Sequence, residues 1–254
     1  MFSQIQPVNL LNSSQQTLSS KDQVLLTNIF HAYNQTCISL RDDDVQSLPN
    51  DNTLSMKKLM NINSKKYTAF IDFYKLVPEF VKLPVNTKIT LLKRNFTQVQ
   101  RVNSSLTAHA TGTVEDTNSL SVRRIFPDDL YCEVCICIQH FFPFVYDPLL
   151  LKILFIILIF SSSLSTRNSS EENFIDIQYL LSIQNLYIEL FWRYLLYRCA
   201  NYEKCVQILS TFVGRLLRSQ TINSKLRDFV DETMTNQVDQ LEPIMRAMWT
   251  NENK

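Results

Sequence analysis

The uninterrupted apolar run from Ile153 to Phe160 most limits how this chain can fold. Its eight residues read ILFIILIF, so every face of a helix built from them is apolar. Such a helix has to be covered on all sides. The run is far shorter than the roughly 20 apolar residues that a membrane-spanning helix needs, and Lys152 directly precedes it. The run therefore predicts a helix at the centre of a globular domain.

Glycine is almost absent, and this favours helices over hairpins. Only Gly112 and Gly214 occur among the 254 residues, and tight hairpins and phosphate-binding loops need glycine. Residues 107–124 are rich in Thr, Ser and β-branched side chains, which makes them the one segment that fits a small β-hairpin. With the helical spacing elsewhere, this predicts an all-α protein of about 9–11 helices with one small β-hairpin.

Capping signals and apolar spacing place the helices along the chain. Residues 1–18 are polar and predicted to be flexible, residues 251–254 form a short tail, and one domain is expected to cover 19–250. Ser20 is the predicted N-cap of the first helix. The further helical patterns cover 54–77, 84–106, 127–143, 147–160, 174–199, 205–230 and 241–249.

The charges are balanced, which argues against direct binding of nucleic acid. Lys plus Arg total 25 and Asp plus Glu total 24, a net charge of +1, whereas a phosphate-binding surface needs a basic excess. The three histidines are scattered along the chain as His31, His109 and His140, and none lies in a catalytic or metal-binding context. We therefore predict that the protein is not an enzyme and has no metal site.

Two cysteines have the spacing of half a zinc site. Cys132 and Cys135 form a Cys-x-x-Cys pair, but no second pair or histidine follows at a useful distance. They lie in the apolar segment YCEVCICIQHFF, where free thiols behave as small hydrophobic side chains. Both are therefore predicted to be core residues.

The most specific pattern in the sequence is the segment FIDFYKLVPEFVKLPVNTKITLLKRNF. A helix ends in Phe73-Tyr74-Lys75, Pro78-Glu79-Phe80 and Leu83 follow, and a second helix contains Leu91-Leu92-Lys93. This combination resembles the signature of nuclear-receptor ligand-binding domains, and the resemblance continues in order over nearly the whole chain. It implies a three-layer antiparallel α-helical sandwich, here without the zinc-finger DNA-binding domain of that family.

The resemblance also implies a coregulator groove. In this family an apolar Leu-x-x-Leu-Leu helix lies in a groove, and a Lys and a Glu hold its two ends. Lys75 matches the clamp lysine, whereas Ala247 stands where the terminal helix of the family has the Glu. The other positions that match the groove and the terminal helix are Ile71, Val85, Lys88, Ile89, Leu92, Lys93, Ile244, Met245, Met248 and Trp249. Because the clamp Glu is missing, weak ligand-dependent recruitment of coregulators is expected.

A pocket for a lipophilic small molecule is the next implication of the resemblance. The positions that would face it are Asn63, Tyr67, Phe70, Phe96, Gln100, Asn103 and Trp249. Two alternatives stay open, since these side chains either line a cavity or fill the core completely. Thr107 stands where many members have an arginine for acidic ligands, and the nearest arginine, Arg101, falls on another face of the helix. The family's Asp-Gln pair is replaced by Thr87-Lys88.

Three functions follow as hypotheses. The first is a transcription regulator of the nucleus, or of nucleus and cytoplasm, that binds a lipophilic ligand of unknown identity, coregulator helices, or both, and dimerises with a receptor partner through the helix around 205–230. The second is a ligandless helical interaction module that retains only the scaffold. The third is an integral membrane protein that uses residues 149–164. No cofactor beyond the ligand, no contact with nucleic acid and no membrane are expected for the first.

Overall fold

The computed structural model describes residues 18–37, 55–111, 123–161, 177–199, 201–234 and 237–249. Regular structure within these ranges is helical throughout, which confirms the all-α prediction. The predicted flexible segment, apart from Leu18, and the predicted tail 251–254 lie outside them. In chain order the helices are α1 (Ser20–Thr36), α2 (Met56–Lys75), α3 (Pro78–Val81), α4 (Val85–Thr111), α5 (Asp128–Gln139), α6 (Phe142–Val145), α7 (Pro148–Ile159), α8 (Ile177–Cys199), α9 (Tyr202–Met234) and α10 (Pro243–Trp249), with a 3-10 turn at Val238–Gln240.

Serine side chains begin the first two long helices. Ser19, not the predicted Ser20, is the N-cap of α1, since its Oγ accepts a hydrogen bond from the Asp22 backbone N–H at 3.1 Å. The hydroxyl also donates to Asp22 Oδ2 at 2.8 Å, so the reciprocal pair holds the first turn. Ser55 caps α2 in the same way through the Lys58 N–H, and α2 is two residues shorter at each end than the predicted 54–77.

The apolar run forms α7, and α7 lies at the centre of the fold as predicted. It packs against α1, α4, α6 and α8, and its residues from Leu150 to Ile156 are all buried. Polar side chains of other helices bind its backbone: Tyr74 Oη donates to Phe155 O at 3.0 Å, and Asn95 Nδ2 donates to Ile159 O at 2.9 Å. Among the helices described here, none is long and apolar enough to cross a membrane.

A lysine is buried within this apolar centre. Lys152 is only 4% exposed, and its Nζ donates to Asn34 Oδ1 at 3.0 Å. The same Nζ lies 4.5 Å from the ring centroid of Phe30 and 4.6 Å from that of Tyr33. Burial lowers the pKa of Lys152 to about 8. The ammonium group is therefore held by one amide oxygen and two ring faces.

Two predictions about the middle of the chain need correction. Residues 107–111, the start of the predicted hairpin, belong to α4, because this helix continues to Thr111. The remaining residues of the predicted hairpin lie outside the described ranges. Cys132, predicted to be in the core, is exposed, and Cys135 is half-buried. The reason is that α5 packs through one face against α4 and α9, and Cys137 occupies that face.

An ion pair joins the first helix to the eighth. The Arg193 guanidinium donates to the buried carboxylate of Asp22, with Nη2 to Oδ1 at 2.9 Å, and also reaches Glu189 at 3.2 Å. Burial alone would raise the pKa of Asp22, but the hydrogen bonds from Arg193 and Ser19 outweigh it and lower that pKa. This pair fixes α1 across α8, beside the central helix.

Candidate functional site

The connection between α2 and α4 has an exposed apolar surface, which we call the corner surface. It comprises the last turn of α2, helix α3 and the first turns of α4, which follow each other through short connections. Its exposed apolar side chains are Leu76 at 44%, Val81 at 51%, Val85 at 67% and Ile89 at 44%. A contiguous exposed apolar patch marks an interaction site, whereas single exposed apolar side chains are common on protein surfaces. Ile71 and Leu92, also predicted for the groove, are half-buried beside them.

Lysines border the corner surface, but they are not equivalent. Lys75 is exposed and pairs with Asp72 at 2.8 Å, with side chains that are 65% and 47% exposed. Pairs this exposed contribute little, so Lys75 can exchange its partner. Lys88 Nζ donates to Val81 O at 2.7 Å and thereby satisfies the carbonyl end of α3. Lys93 is half-buried on the following turn of α4.

The terminal helix α10 lies against α2 and α4. The Glu242 backbone N–H donates to Asn61 Oδ1 at 2.8 Å, and Lys57 Nζ donates to Gln240 Oε1 at 2.9 Å. Met245 is buried and Ala247 is exposed. The other predicted side chains of this helix, Ile244, Met248 and Trp249, are half-buried and pack on the core.

Aromatic side chains occupy the predicted pocket. The rings of Tyr67 and Phe96 stack with centroids 4.1 Å apart, and Phe70 meets Phe96 edge to face at 5.7 Å. All three are buried. The structure therefore brings these three predicted residues into one cluster, between α2 and α4.

The polar side chains predicted for the pocket form hydrogen bonds within the protein, although Gln100 Oε1 is buried without a partner among the described residues. Gln100 Nε2 donates to Asn63 Oδ1 at 3.5 Å, across from α4 to α2. Asn103 Oδ1 accepts from Tyr33 Oη at 2.6 Å, which joins α4 to α1. The Trp249 ring lies 5.7 Å from the Arg227 guanidinium carbon. Asn103 thus joins α4 to α1, whereas the Trp249 ring of α10 contacts Arg227 of α9.

A buried polar cluster between α4 and α9 was not foreseen as a site. We define it as Gln98, Arg101, Ser219 and Asn223, all of which are buried. Arg101 Nε donates to Asn223 Oδ1 at 3.1 Å, and Asn223 Nδ2 donates to Gln98 Oε1 at 2.6 Å. The sequence carried a signal for it, because Gln98 and Arg101 are one helical turn apart. Predicting that this face points inward required knowledge of α9.

Burial has a marked electrostatic effect in this cluster. It lowers the pKa of Arg101, although a guanidinium stays charged at neutral pH. The pKa of Tyr67 is raised by burial to about 12, against the opposing influence of Arg101 and Arg227. Both guanidinium groups therefore lie near the Tyr67 phenol, where the predicted pocket meets the buried polar cluster.

The long helix α9 has an exposed apolar face of its own. Val206, Val213 and Leu217 are exposed on it, within the segment 205–230 that was predicted to dimerise. No cluster of three or more potential metal ligands occurs in the part of the chain that the structure covers. No protein-family model and no curated protein sequence matches the chain.

Proposed function

We propose that this chain is a nuclear-receptor-like ligand-binding domain that regulates transcription in the nucleus. In this proposal it binds coregulator helices at the corner surface, binds a lipophilic molecule in the interior and pairs with a receptor partner. Ligand-dependent activation is weakened, because Ala247 replaces the clamp Glu. The observation that carries the proposal is the exposed apolar corner surface beside Lys75.

The packing order of the helices supports the three-layer sandwich. Helices α1 and α2 pack on each other, α5 and α9 pack on each other, and α9 also contacts α2. Helix α7 lies between α4 and α8, and α4 also contacts α5 and α9. A central helix that is apolar all round fits the middle layer of such a fold, since both of its faces are covered.

The dimensions along α2 suit a short partner helix. Trp249 of α10 lies near Tyr67, and Lys75 stands eight residues further along α2. At 1.5 Å per residue this is about 12 Å, or two helical turns. The apolar side chains of a Leu-x-x-Leu-Leu helix span four residue steps, about 6 Å, so a partner helix with about one further turn fits this distance. Lys75 would then meet the negative end of its dipole.

The experiment is fluorescence anisotropy with a labelled Leu-x-x-Leu-Leu peptide. We expect weak binding to the wild type and loss of binding in Ile89→Ser, which removes apolar area from the corner surface. Ala247→Glu should tighten binding by about twofold to fivefold, the range for a charge at an exposed helix terminus. Val24→Ser, which alters an exposed apolar residue on α1, is the matched control and should leave affinity unchanged.

Two outcomes would contradict the coregulator site. One is equal affinity of the wild type and Ile89→Ser, because the peptide would then lie elsewhere. The other is an absence of binding in both the wild type and Ala247→Glu. The missing Glu would then not be the cause of weak binding. Addition of salt should weaken the Ala247→Glu gain, since that gain is electrostatic.

The second candidate is a ligandless interaction module. It is favoured by the close packing of Tyr67, Phe70 and Phe96 at the predicted pocket and by the exposed Ala247. Native mass spectrometry of the purified protein separates the two candidates. A bound mass of lipid size supports the first, and a protein free of ligand supports the second.

The exposed face of α9 supports the dimer part of the proposal. Val206, Val213 and Leu217 would be covered by a second helix. Leu217→Glu should lower the dimer fraction in sedimentation velocity without changing the circular dichroism spectrum. If the wild type and Leu217→Glu are both monomeric alone, and neither forms a heterodimer with a receptor partner, this interface is excluded.

A further inference from the structure

Two cysteines meet at the junction of α8 and α9. Cys199 is the last residue of α8, and Cys205 lies on the first turn of α9. Their thiols are in hydrogen-bond contact with each other, and the Cys205 thiol also donates to Leu195 O at 3.4 Å. Both thiols are free. Because a disulfide forms between sulfur atoms that already lie close together, this pair meets the first condition for one.

The surroundings of the two thiols are held from several sides. Asn201 precedes α9, and its Oδ1 accepts the Lys204 N–H at 2.9 Å while its carbonyl accepts the Cys205 N–H at 3.1 Å. The ring of Trp192 on α8 meets that of Tyr202 on α9 edge to face at 5.8 Å. The two helices also pack on each other. The fold therefore fixes the contact between the thiols before any bond joins them.

The two thiols differ in their access to solvent. Cys205 is fully buried, and burial together with the neighbouring Cys199 thiol raises the pKa of Cys205 to about 11. Cys199 is half-buried. Because the thiolate is the reactive form of a cysteine, Cys205 is protected from a dissolved oxidant. Such an oxidant meets Cys199 first, and Cys205 then reacts with the group beside it.

The other cysteines lack this geometry. Cys132 and Cys135 lie three residues apart on α5, and Cβ atoms at that spacing on a helix are about 5 to 6 Å apart. A disulfide needs about 3.5 to 4.5 Å between the Cβ atoms, so this pair cannot close without distortion of the helix. The Cys37 thiol instead donates to Ala69 O at 3.8 Å. Cys132 and Cys135 therefore serve as an internal comparison for the pair between α8 and α9.

We propose that Cys199 and Cys205 are a modification site, at which a hydroperoxide oxidises the two thiols to a reversible disulfide that ties α8 to α9. The Cys199 thiolate attacks the peroxide and the O–O bond breaks, which gives a sulfenic acid on Cys199 and releases an alcohol or water. The Cys205 sulfur then attacks the sulfenic sulfur. The S–S bond forms, the S–O bond breaks, and the hydroxide leaves as water with the Cys205 proton. Each sulfur loses one electron, and the two peroxide oxygens gain both.

Two molecules of a small thiol reverse the reaction, because they reduce the disulfide and become a disulfide themselves. The exposed face of α9 begins at Val206, directly after Cys205, so the bond fixes the start of that face against α8. The inference goes beyond the proposed function and does not depend on it.

The test uses hydrogen peroxide on the full chain, followed by mass spectrometry of tryptic peptides. Trypsin cuts after Lys204, so Cys199 and Cys205 fall in the separate peptides 199–204 and 205–215. Native protein is treated with peroxide, its remaining thiols are alkylated, and it is digested. We expect the two peptides to appear as one linked pair. The pair should separate when a small thiol is added before alkylation.

Three variants test the order of the two steps. In Cys205→Ala, the sulfenic acid on Cys199 should persist and be trapped by dimedone, because the second thiol is missing. In Cys199→Ser, oxidation of Cys205 should slow by about tenfold or more, since only direct attack on the peroxide remains. Cys132→Ser, which removes an exposed thiol, is the matched control and should give the linked pair at the wild-type rate. Circular dichroism checks that each variant is folded.

Three results would overturn the proposal. One is a wild type in which Cys199 and Cys205 both remain open to alkylation while the exposed Cys132 is oxidised. Another is a linked pair that forms only in denatured protein. The third is an unchanged rate of Cys205 oxidation in Cys199→Ser. The linked pair is measured on the wild type, so this measurement decides the question without any variant.

Discussion

Lys152 gives the sharpest test of how this fold tolerates charge, through the substitution Lys152→Met. A methionine has a similar length and shape, so it can fill the same space without the charge. A fall of the lysine pKa from 10.5 to about 8 corresponds to about 3 kcal/mol of destabilisation at neutral pH. The two aromatic ring faces and the hydrogen bond to Asn34 offset about 1 to 2 kcal/mol of this destabilisation.

We therefore expect Lys152→Met to be more stable than the wild type by about 1 to 2 kcal/mol at pH 7. For a chain of this size this raises the unfolding temperature by about 3 to 6 °C. The assay is urea unfolding at several pH values, followed by circular dichroism. Lys82→Met, at an exposed lysine, is the matched control and should change stability by less than about 0.5 kcal/mol.

The pH dependence identifies the cause. Below pH 8 both the folded and the unfolded chain carry the Lys152 proton, and the full penalty is present. Between pH 8 and 10.5 the folded state releases the proton first, so the wild type gains stability relative to the variant. Burial also raises the pKa of Cys37 to about 11, and the Lys152 charge opposes that rise. The two proteins are therefore compared below about pH 10, where the folded-state Cys37 thiol stays protonated in both.

Two results would refute this reasoning. One is a Lys152→Met variant that is less stable than the wild type at neutral pH, because the ring faces would then outweigh burial. The other is a stability difference between Lys152→Met and the wild type that stays constant from about pH 7 to about pH 9.5. Our reasoning predicts that this difference falls by more than half over that range.

Three further substitutions test the core, a helix interior and the ion pair. Ile156→Ala should cost about 2 to 5 kcal/mol in urea unfolding with an unchanged slope, because Ile156 is fully buried in α7; a loss below about 1 kcal/mol would mean that α7 is loosely packed. Gly214→Ala should stabilise the protein by about 0.5 to 1 kcal/mol, since an added Cβ meets nothing within 4 Å; a lower unfolding temperature would contradict this. Asp22→Asn should lower the free energy of unfolding by about 1 to 3 kcal/mol at pH 7. The pKa of Asp22 is lowered in the folded state, so the stability that this carboxylate contributes is lost as pH falls through that pKa. The difference between the variant and the wild type should therefore shrink in acid. A cost that is equal at pH 7 and in acid would assign the effect to packing.

The central helix could be predicted from sequence because its evidence is local. Eight consecutive apolar residues require burial whatever surrounds them, and α7 is buried accordingly. The sequence does not fix the first residue of a helix. Ser19 and Ser20 are both good caps, and only the bonds between Ser19 and Asp22 distinguish them.

The buried polar cluster could not be predicted because its meaning depends on distant residues. Arg101 and its partner Asn223 are 122 positions apart, and no periodicity within α4 shows which helix will cover it. The same reason explains Cys132, since the face of α5 that turns to solvent is decided by α4 and α9. The corner surface lies between these cases. The family pattern predicts Val85 and Ile89, whereas Leu76 and Val81 are recognised as part of it only from their exposure in the fold.

The position of α7 has a consequence for synthesis of the chain on the ribosome. Chains emerge from the N-terminus at about 5 to 20 residues per second, and α8, which covers one side of α7, begins 18 residues after α7 ends (177 − 159). For a time the nascent chain therefore presents a helix that is apolar except for Lys152, with nothing covering that side. Such segments bind chaperones and aggregate in their absence. Production of this protein should respond to chaperone capacity more strongly than its final stability would suggest.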